Sequence, residues 1–188
     1  KCSKTVKKVT LELGGNAPFI VFEDADLEKA VAGLTASKLR NGGQSCICAN
    51  RVFVHTRVIE GFVEKLKKAF SNIKVGDGLD ESNNLGAMIN KAAVDKISNL
   101  ITNAQSHNAE VIYSGDGIMP QKGCFVKPTI LVNRNFDADI HSTEIFGPIV
   151  SITPFDNEDE VIKIANNTEY GLASYFYTED RKRIWRVT

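Results

Sequence analysis

The segment from residue 40 to residue 51 concentrates the side chains of this chain that could do covalent chemistry. It reads Arg-Asn-Gly-Gly-Gln-Ser-Cys-Ile-Cys-Ala-Asn-Arg, so Cys46 directly follows a glycine-rich turn. Glycines let the backbone approach a substrate closely, and backbone N–H groups in such a turn can stabilise an oxyanion. The pattern makes Cys46 a candidate nucleophile. The alternative is a free cysteine that is buried as a small apolar side chain.

Two carboxylates are further candidates for catalytic work. Glu12 lies near the end of the alternating segment 9–13, just before two glycines. We predict a strand there, and a carboxylate at the mouth of a sheet can act as a general base. Glu144 comes two residues before Phe146 and a Gly-Pro turn. The alternatives are an outward-facing strand residue for Glu12 and an ordinary loop around Glu144.

Two other kinds of cysteine site have less support. A metal site made of Cys46, Cys48 and His55 lacks the second closely spaced pair that would complete tetrahedral coordination. A cysteine hydrolase needs a histidine base. The three histidines, His55, His107 and His141, stand in no matching motif.

Composition limits the possible partners. The chain has 188 residues, with 23 basic and 23 acidic side chains and a formal net charge of zero. This balance argues against binding to nucleic acid or to a membrane surface through bulk charge. We find no apolar run near the roughly 20 residues that span a bilayer. Hydrophobic residues make up 43%, enough for a sizeable core.

The four cysteines favour a reducing compartment. A chain of this length does not need disulfides to fold, and Cys46 and Cys48 are too close together for an ordinary structural bridge. We therefore expect free thiols in a cytoplasmic protein, with mitochondria as the alternative location.

The elements that must position these residues alternate between strand and helix, which predicts an α/β domain. The predicted strands cover residues 9–13, 19–22, 51–55, 111–113, 125–132, 148–155 and 172–177. The first predicted helix is capped by Asp24 or Asp26 and ends at the glycines at 42–43. The other predicted helices cover 58–70, a segment that contains 94–101, 158–166, and the chain from residue 179 onward. A glycine-rich loop is predicted from the end of the fourth strand to Gly123.

Three motifs in this order resemble the aldehyde dehydrogenase superfamily. They are Leu-Glu-Leu-Gly-Gly-Asn-Ala-Pro at 11–18, Gly-Gln-Ser-Cys at 43–46 and Glu-Ile-Phe-Gly-Pro at 144–148. The likeness extends over essentially the whole chain, including 75–78 and 166–173. It implies a catalytic domain with a mostly parallel sheet flanked by helices. In this interpretation, residues 1–14 are the end of the cofactor-domain region and lead into the catalytic domain. Residues 15–188 belong to the catalytic domain.

The resemblance also implies roles for single residues. Cys46 attacks the aldehyde to form a thiohemiacetal, hydride passes to NAD or NADP, and Glu12 activates the water that hydrolyses the resulting thioester. A thiolate suits this sequence because it is both a good nucleophile and a good leaving group. Glu144 holds the nicotinamide-side ribose, and Leu13 and Phe146 are the other cofactor contacts.

The residues around the turn are similar to those of the succinate-semialdehyde dehydrogenases. In that group an arginine at the position of Arg40 binds the distal carboxylate of the substrate, which a guanidinium can grip with two hydrogen bonds. The alternative is a surface arginine at the negative end of a helix. Cys48 is implied as a redox partner of Cys46. Two alternatives stay open. One is a dehydrogenase for another aldehyde that bears a carboxylate, and the other is a catalytically silent fragment with a binding role.

We expect the chain to be part of a longer polypeptide. The resemblance places a cofactor domain before Lys1 and an oligomerisation arm after Thr188. It implies a homo-oligomer, either dimer or tetramer, that acts on a small aldehyde. Two positions depart from the pattern: Thr143 replaces a frequent acidic residue and Ala87 a frequent proline.

Overall fold

A mixed six-stranded sheet organises the computed structural model, which describes residues 2–115, 119–120 and 122–188. The strands are β1 (Ala17–Val21), β2 (Ala49–His55), β3 (Glu110–Ser114), β4 (Thr129–Val132), β5 (Ile149–Phe155) and β6 (Tyr175–Tyr177). The α-helices are α1 (Leu27–Leu39), α2 (Ile59–Ser71), α3 (Lys91–Ser106), α4 (Glu158–Asn166) and α5 (Arg181–Val187). Short 3-10 turns lie at Cys2–Thr5, Arg40–Gly43 and Asp139–His141.

The strand order is β3-β4-β5-β2-β1-β6, and every neighbouring pair except β3–β4 is parallel. Strand alternation sends successive side chains to opposite faces. Phe19 and Val21 pack toward α1 and α2, whereas Ile20 and Phe22 pack toward α4. A third apolar cluster joins α3 to β4 and β5. The predicted α/β class, a mostly parallel sheet with flanking helices, is confirmed.

The two aspartates that the sequence offers as caps of α1, Asp24 and Asp26, have different partners in the structure. Asp26 caps the helix by accepting a hydrogen bond from the Lys29 N–H at 3.1 Å. Asp24 instead accepts from the Thr178 hydroxyl and from the N–H groups of Glu179 and Asp180. Asp24 therefore ties the beginning of α1 to the segment between β6 and α5.

The predicted strand at 9–13 is wrong. Val9, Leu11 and Leu13 are 55%, 67% and 69% exposed, and the segment is irregular. Alternating apolar residues form a strand only where a neighbour supplies hydrogen bonds, and β1 already has β2 and β6 on its two sides. The described part of the chain offers residues 9–13 no strand partner.

Three other predicted elements begin at least two residues later than expected, and a proline directly precedes one of them. β4 begins at Thr129, directly after Pro128, and β6 begins at Tyr175, opposite Phe19 of β1. Proline has no N–H to donate to a ladder. The last helix begins at Arg181, after the Asp180 cap. Parts of the predicted glycine-rich loop, 116–118 and 121, and the predicted boundary residue Lys1 lie outside the described residues.

None of the helices in the described ranges is both long enough and apolar enough to cross a membrane.

Candidate active site

The turn that carries Cys46 starts where α1 ends. Its backbone turns left-handed at Asn41, Gly42 and Gly43, with φ of 51°, 65° and 75°. A β-carbon on Gly43 would lie 2.3 Å from the Gly147 carbonyl oxygen, so this position requires glycine. The turn reverses the chain and presents Cys46, partly exposed, just before β2.

A cavity of about 520 Å³ brings together the predicted nucleophile and the predicted base. Cys46, Glu12 and Leu13 all line it, with Leu11, Gly14 and the loop 169–172 forming the rest of its wall. The segment around Glu12 runs against the turn so closely that a β-carbon on Gly15 would lie 2.1 Å from the Cys46 carbonyl oxygen. A carboxylate and a thiol therefore share one solvent-accessible space.

Glu144 contacts the same segment through Gly14 and Gly15. Its Oε1 accepts a hydrogen bond from the Gly15 N–H at 2.9 Å. Its Oε2 lies over Gly14, where an added β-carbon would approach to 2.7 Å. Phe146 is half-buried and has a left-handed backbone with φ of 55°. The loop 144–146 is thus fixed beside the cavity, although neither Glu144 nor Phe146 lines it.

Arg40 and Cys48 are not among the residues that line the cavity. Arg40 is exposed at the C-terminal end of α1, where its N–H donates to the Ala36 carbonyl. Cys48 is only 6% exposed, and its thiol donates to the Ala49 carbonyl at a sulfur–oxygen distance of 3.6 Å. Neither the substrate-binding candidate nor the redox candidate therefore belongs to the cavity wall that Cys46 and Glu12 share.

A buried lysine under the turn was missed by the sequence patterns. Lys38 is 0% exposed, and its Nζ donates to the Ala49 carbonyl at 3.0 Å. Burial lowers the pKa of Lys38, and the nearby Cys48 and Glu144 partly oppose that effect. The signal was present in α1: Lys38 stands four residues after the buried Leu34, where the helical period predicts an apolar side chain.

Ile47, the residue after the predicted nucleophile, is held by a hydrogen bond from a distant strand. The Tyr175 hydroxyl donates to the Ile47 carbonyl at 2.7 Å. These residues are 128 positions apart, so no local pattern connects them. β6 therefore contributes to the position of the Cys46 turn.

The histidines and the metal alternative find no geometric support in the described ranges. No group of three or more His, Cys, Asp or Glu side chains among the described residues could hold a metal ion. None of the three histidines is among the residues that line the Cys46 cavity. Burial, together with the charge of Arg51, lowers the pKa of His141 to about 4, so this side chain is neutral at pH 7. A cysteine–histidine pair is not formed here.

Comparison with known proteins gives a family match over the whole chain. The chain matches the aldehyde dehydrogenase family model over residues 1–188. It is 48% identical to the succinate-semialdehyde dehydrogenase [NADP(+)] GabD of Escherichia coli (strain K12) and 49% identical to a glutarate-semialdehyde dehydrogenase of Pseudomonas putida. Each alignment covers 100% of this chain but only 39% and 38% of those relatives.

Solved structures show the same fold. A crystal structure of a succinate-semialdehyde dehydrogenase from Burkholderia pseudomallei superposes with a TM-score of 0.93 at 48% identity. The match covers 98% of this chain and 38% of that one. The chain thus spans well under half the length of the relatives it matches.

Proposed function

Because this chain belongs to the aldehyde dehydrogenase family, we propose that it is the catalytic portion of an NAD- or NADP-dependent enzyme that oxidises succinate semialdehyde to succinate. The observation that carries this proposal is the cavity of about 520 Å³ in which Cys46 and Glu12 meet. A thiol and a carboxylate are the two groups that acyl transfer followed by hydrolysis requires.

The proposed reaction runs through two covalent species on Cys46. The thiolate adds to the aldehyde carbon, and the oxyanion of the thiohemiacetal lies beside the glycine-rich turn. A dinucleotide, when bound, would supply the hydride acceptor. Loss of hydride leaves a thioester, and Glu12 takes a proton from a water molecule that attacks it. Succinate leaves, and Cys46 is regenerated as a thiolate.

The exposure of Glu12 suits its proposed role. Residues 9–14 are all exposed and irregular, so this carboxylate is not fixed by a ladder of hydrogen bonds. A base on such a segment can stay aside while hydride leaves and then approach the thioester with water. The corrected secondary structure at residues 9–13 therefore strengthens the proposed function of Glu12.

The chain's own residues fit the nicotinamide end of a dinucleotide. A carboxylate accepts hydrogen bonds, and ribose hydroxyls donate them. Glu144 is already oriented by the Gly15 N–H, and Gly14 leaves its second oxygen without a β-carbon in front of it. We assign ribose binding to Glu144, and apolar contacts with the nicotinamide to Leu13 and Phe146.

Substrate choice is assigned to Arg40. Its guanidinium is exposed at the end of the helix that leads into the Cys46 turn, six positions before the nucleophile. A short dicarboxylic semialdehyde carries an anion at the end opposite its carbonyl, and arginine binds such an anion with two hydrogen bonds. Glutarate semialdehyde, which is one methylene longer, is the second candidate, because the Pseudomonas putida relative carries that name.

The full-length enzyme with Arg40→Ala tests the substrate assignment. We expect kcat/KM for succinate semialdehyde to fall roughly thirty- to a hundredfold, the loss of about 2–3 kcal/mol for a charged hydrogen-bonded contact. Butanal, of equal carbon number but without the anion, should be oxidised by the variant about as well as by the wild type. Parallel assays with glutarate semialdehyde decide which of the two acids fits better.

Arg57→Ala is the matched control, since Arg57 is another exposed arginine and does not line the Cys46 cavity. It should leave kcat/KM for both aldehydes unchanged. If Arg40→Ala weakens the use of butanal as much as that of succinate semialdehyde, Arg40 supports the helix end and the substrate assignment fails.

A further inference from the structure

Two buried asparagines join three separate segments beside the active site. Asn16 is 4% exposed and Asn50 is 3% exposed. The Asn50 Nδ2 donates to the Asn16 Oδ1 at 2.6 Å. The Asn16 Nδ2 in turn donates to the His141 carbonyl at 3.0 Å. Side-chain amides buried to this degree, with both donor and acceptor groups paired, fix backbone geometry.

The remaining bonds of Asn50 go to the two residues on either side of Glu144. Its Nδ2 also donates to the Thr143 carbonyl at 3.0 Å, and its Oδ1 accepts from the Ile145 N–H at 2.9 Å. One amide thus grips the backbone before and after Glu144. The Asn50 side chain is four residues after Cys46 in sequence but 95 residues from Ile145.

The contacts close into a ring around Glu144. Its carboxylate accepts from the Gly15 N–H, and Gly15 is the chain neighbour of Asn16. Asn16 is paired to Asn50, and Asn50 holds the peptides that flank Glu144. The side-chain amides of Asn16 and Asn50 therefore connect the segment that bears Glu12, the strand that follows Cys46 and the loop of Glu144.

We propose that Asn50 is a positioning residue that fixes Glu144 for the ribose next to the nicotinamide. This inference rests on the proposed function of Glu144. An amide is required at this place because it must donate to a carbonyl and accept from an N–H at the same time. Aspartate has nearly the same shape but, when ionised, only accepts, so it would repel the Thr143 carbonyl and the Asn16 Oδ1.

The test uses the full-length enzyme with Asn50→Asp. Dissociation constants for NAD and NADP are measured by calorimetry, and acylation of Cys46 is measured separately with p-nitrophenyl acetate, which requires no hydride acceptor. We expect dinucleotide affinity to fall roughly tenfold or more, the effect of one lost hydrogen bond to a charged group. Acylation of Cys46 should stay within about twofold of the wild-type rate, a change of less than 0.5 kcal/mol.

The matched control is Asn133→Asp. Asn133 is 0% exposed, pairs with His141 and accepts from the Asn135 N–H, but makes none of the contacts to the peptides around Glu144. It should lower thermal stability without a selective loss of dinucleotide affinity. Equal losses of affinity in both variants would show that Asn50 merely supports the fold, which overturns the proposal.

A double variant separates this inference from the function on which it rests. In Glu144→Gln, Asn50→Asp should weaken dinucleotide binding far less than it does beside the native glutamate, because both changes disturb one contact. If Glu144→Gln alone leaves affinity unchanged, the role of Glu144 is wrong. If Glu144→Gln lowers affinity and Asn50→Asp does not, Asn50 has no positioning role.

A second variant keeps the proposal testable if Asn50→Asp does not fold. Asn16→Ser removes the partner of Asn50 but leaves its bonds to Thr143 and Ile145. It should reduce dinucleotide affinity in the same direction while preserving acylation of Cys46. An unchanged dissociation constant in a folded Asn16→Ser enzyme contradicts the ring described above.

Discussion

Cys46 and Cys48 are two positions apart and have opposite surroundings. Cys46 is partly exposed and lines the cavity with Glu12. Cys48 is buried and points toward the Ala49 carbonyl, to which the Lys38 ammonium also donates. The Tyr175 hydroxyl holds Ile47, the residue between the two cysteines. In a disulfide the Cys48 sulfur would lose its hydrogen bond to the Ala49 carbonyl, because it would no longer carry a proton.

The proposed redox role of Cys48 gives a prediction at this scale. Peroxide converts the Cys46 thiolate to a sulfenic acid, and the Cys48 thiol condenses with it to a disulfide and water. Full-length enzyme inactivated by excess peroxide should recover activity on treatment with dithiothreitol. Cys48→Ala should lose that recovery, because the sulfenic acid oxidises further without a resolving thiol.

Cys124→Ala serves as the control for the peroxide experiment, since Cys124 is also a free thiol and does not line the cavity. It should behave like the wild type. Inactivation that dithiothreitol cannot reverse in the wild type, or that is unchanged in Cys48→Ala, would contradict the switch.

Among the elements, the loop between β4 and β5 contains a histidine whose pKa is strongly lowered. His141 lies in its 3-10 turn, and burial lowers the pKa of the imidazole from 6.5 to about 4. Its carbonyl receives the Asn16 amide, so the loop and the asparagine ring are connected. Protonation of His141 would place a charge in this buried setting, next to the charge of Arg51.

The sign of the resulting pH dependence follows from linkage. The folded-state pKa is below the unfolded one, so the unfolded chain binds the proton first as pH falls. The stabilising effect of neutral His141 is complete above about pH 6.5 and is lost progressively toward pH 4. Thermal midpoints of the wild type should therefore decline over this window. His141→Gln, which stays neutral, should decline less steeply, and equal slopes would contradict the assignment.

Local patterns in the sequence predicted most of these elements but not the contacts between them. Periodicity predicted α4 as residues 158–166, and the structure has Glu158–Asn166. The same reasoning was wrong at 9–13, because alternation does not say whether a strand partner exists. Periodicity also gave no indication of the role of Asn50, because its partners at 143 and 145 lie more than 90 residues away in sequence. The unusual position of Lys38 could have been predicted, because it is a charged residue on an apolar helix face.

Motif order predicted the candidate site more fully than periodicity did. Cys46, Glu12 and Leu13 line one cavity, and Glu144 contacts the same segment through Gly15. Spacing alone could not place Glu12 beside Cys46, since the pairing depends on how the segment 11–15 crosses the turn. Their chemical roles, and those of Arg40, Phe146 and Cys48, stay predictions.

At the scale of the molecule, several large apolar side chains of the described residues are exposed. Val6, Leu11 and Leu13 on the first segment are 91%, 67% and 69% exposed, and Trp185 on α5 is 85% exposed. Exposed apolar surface of this kind is typical of contacts with other domains or subunits. The relatives are more than twice as long as this chain, which agrees with that interpretation. Assembly into a homo-oligomer stays a prediction.

Residues 1–188 by themselves should fold but not oxidise aldehydes. The sheet and its three apolar clusters are built from this chain alone. The proposed cofactor contacts, Leu13, Glu144 and Phe146, hold only the nicotinamide end, so the dinucleotide would not be positioned for hydride transfer. Circular dichroism should show an α/β fold, and assays with either dinucleotide should show no reduction. Robust activity of residues 1–188 would contradict this expectation.

The most direct test of Cys46 as acyl carrier and Glu12 as base is to trap the thioester in the full-length enzyme. Glu12→Gln is mixed with succinate semialdehyde and dinucleotide, quenched in acid, digested and analysed by mass spectrometry. Hydride transfer should proceed once per site and then stall, leaving a hydroxylamine-sensitive succinyl group on Cys46 and none in Cys46→Ser. Sustained turnover of Glu12→Gln at the wild-type rate, or a succinyl group on any other residue, would contradict the mechanism.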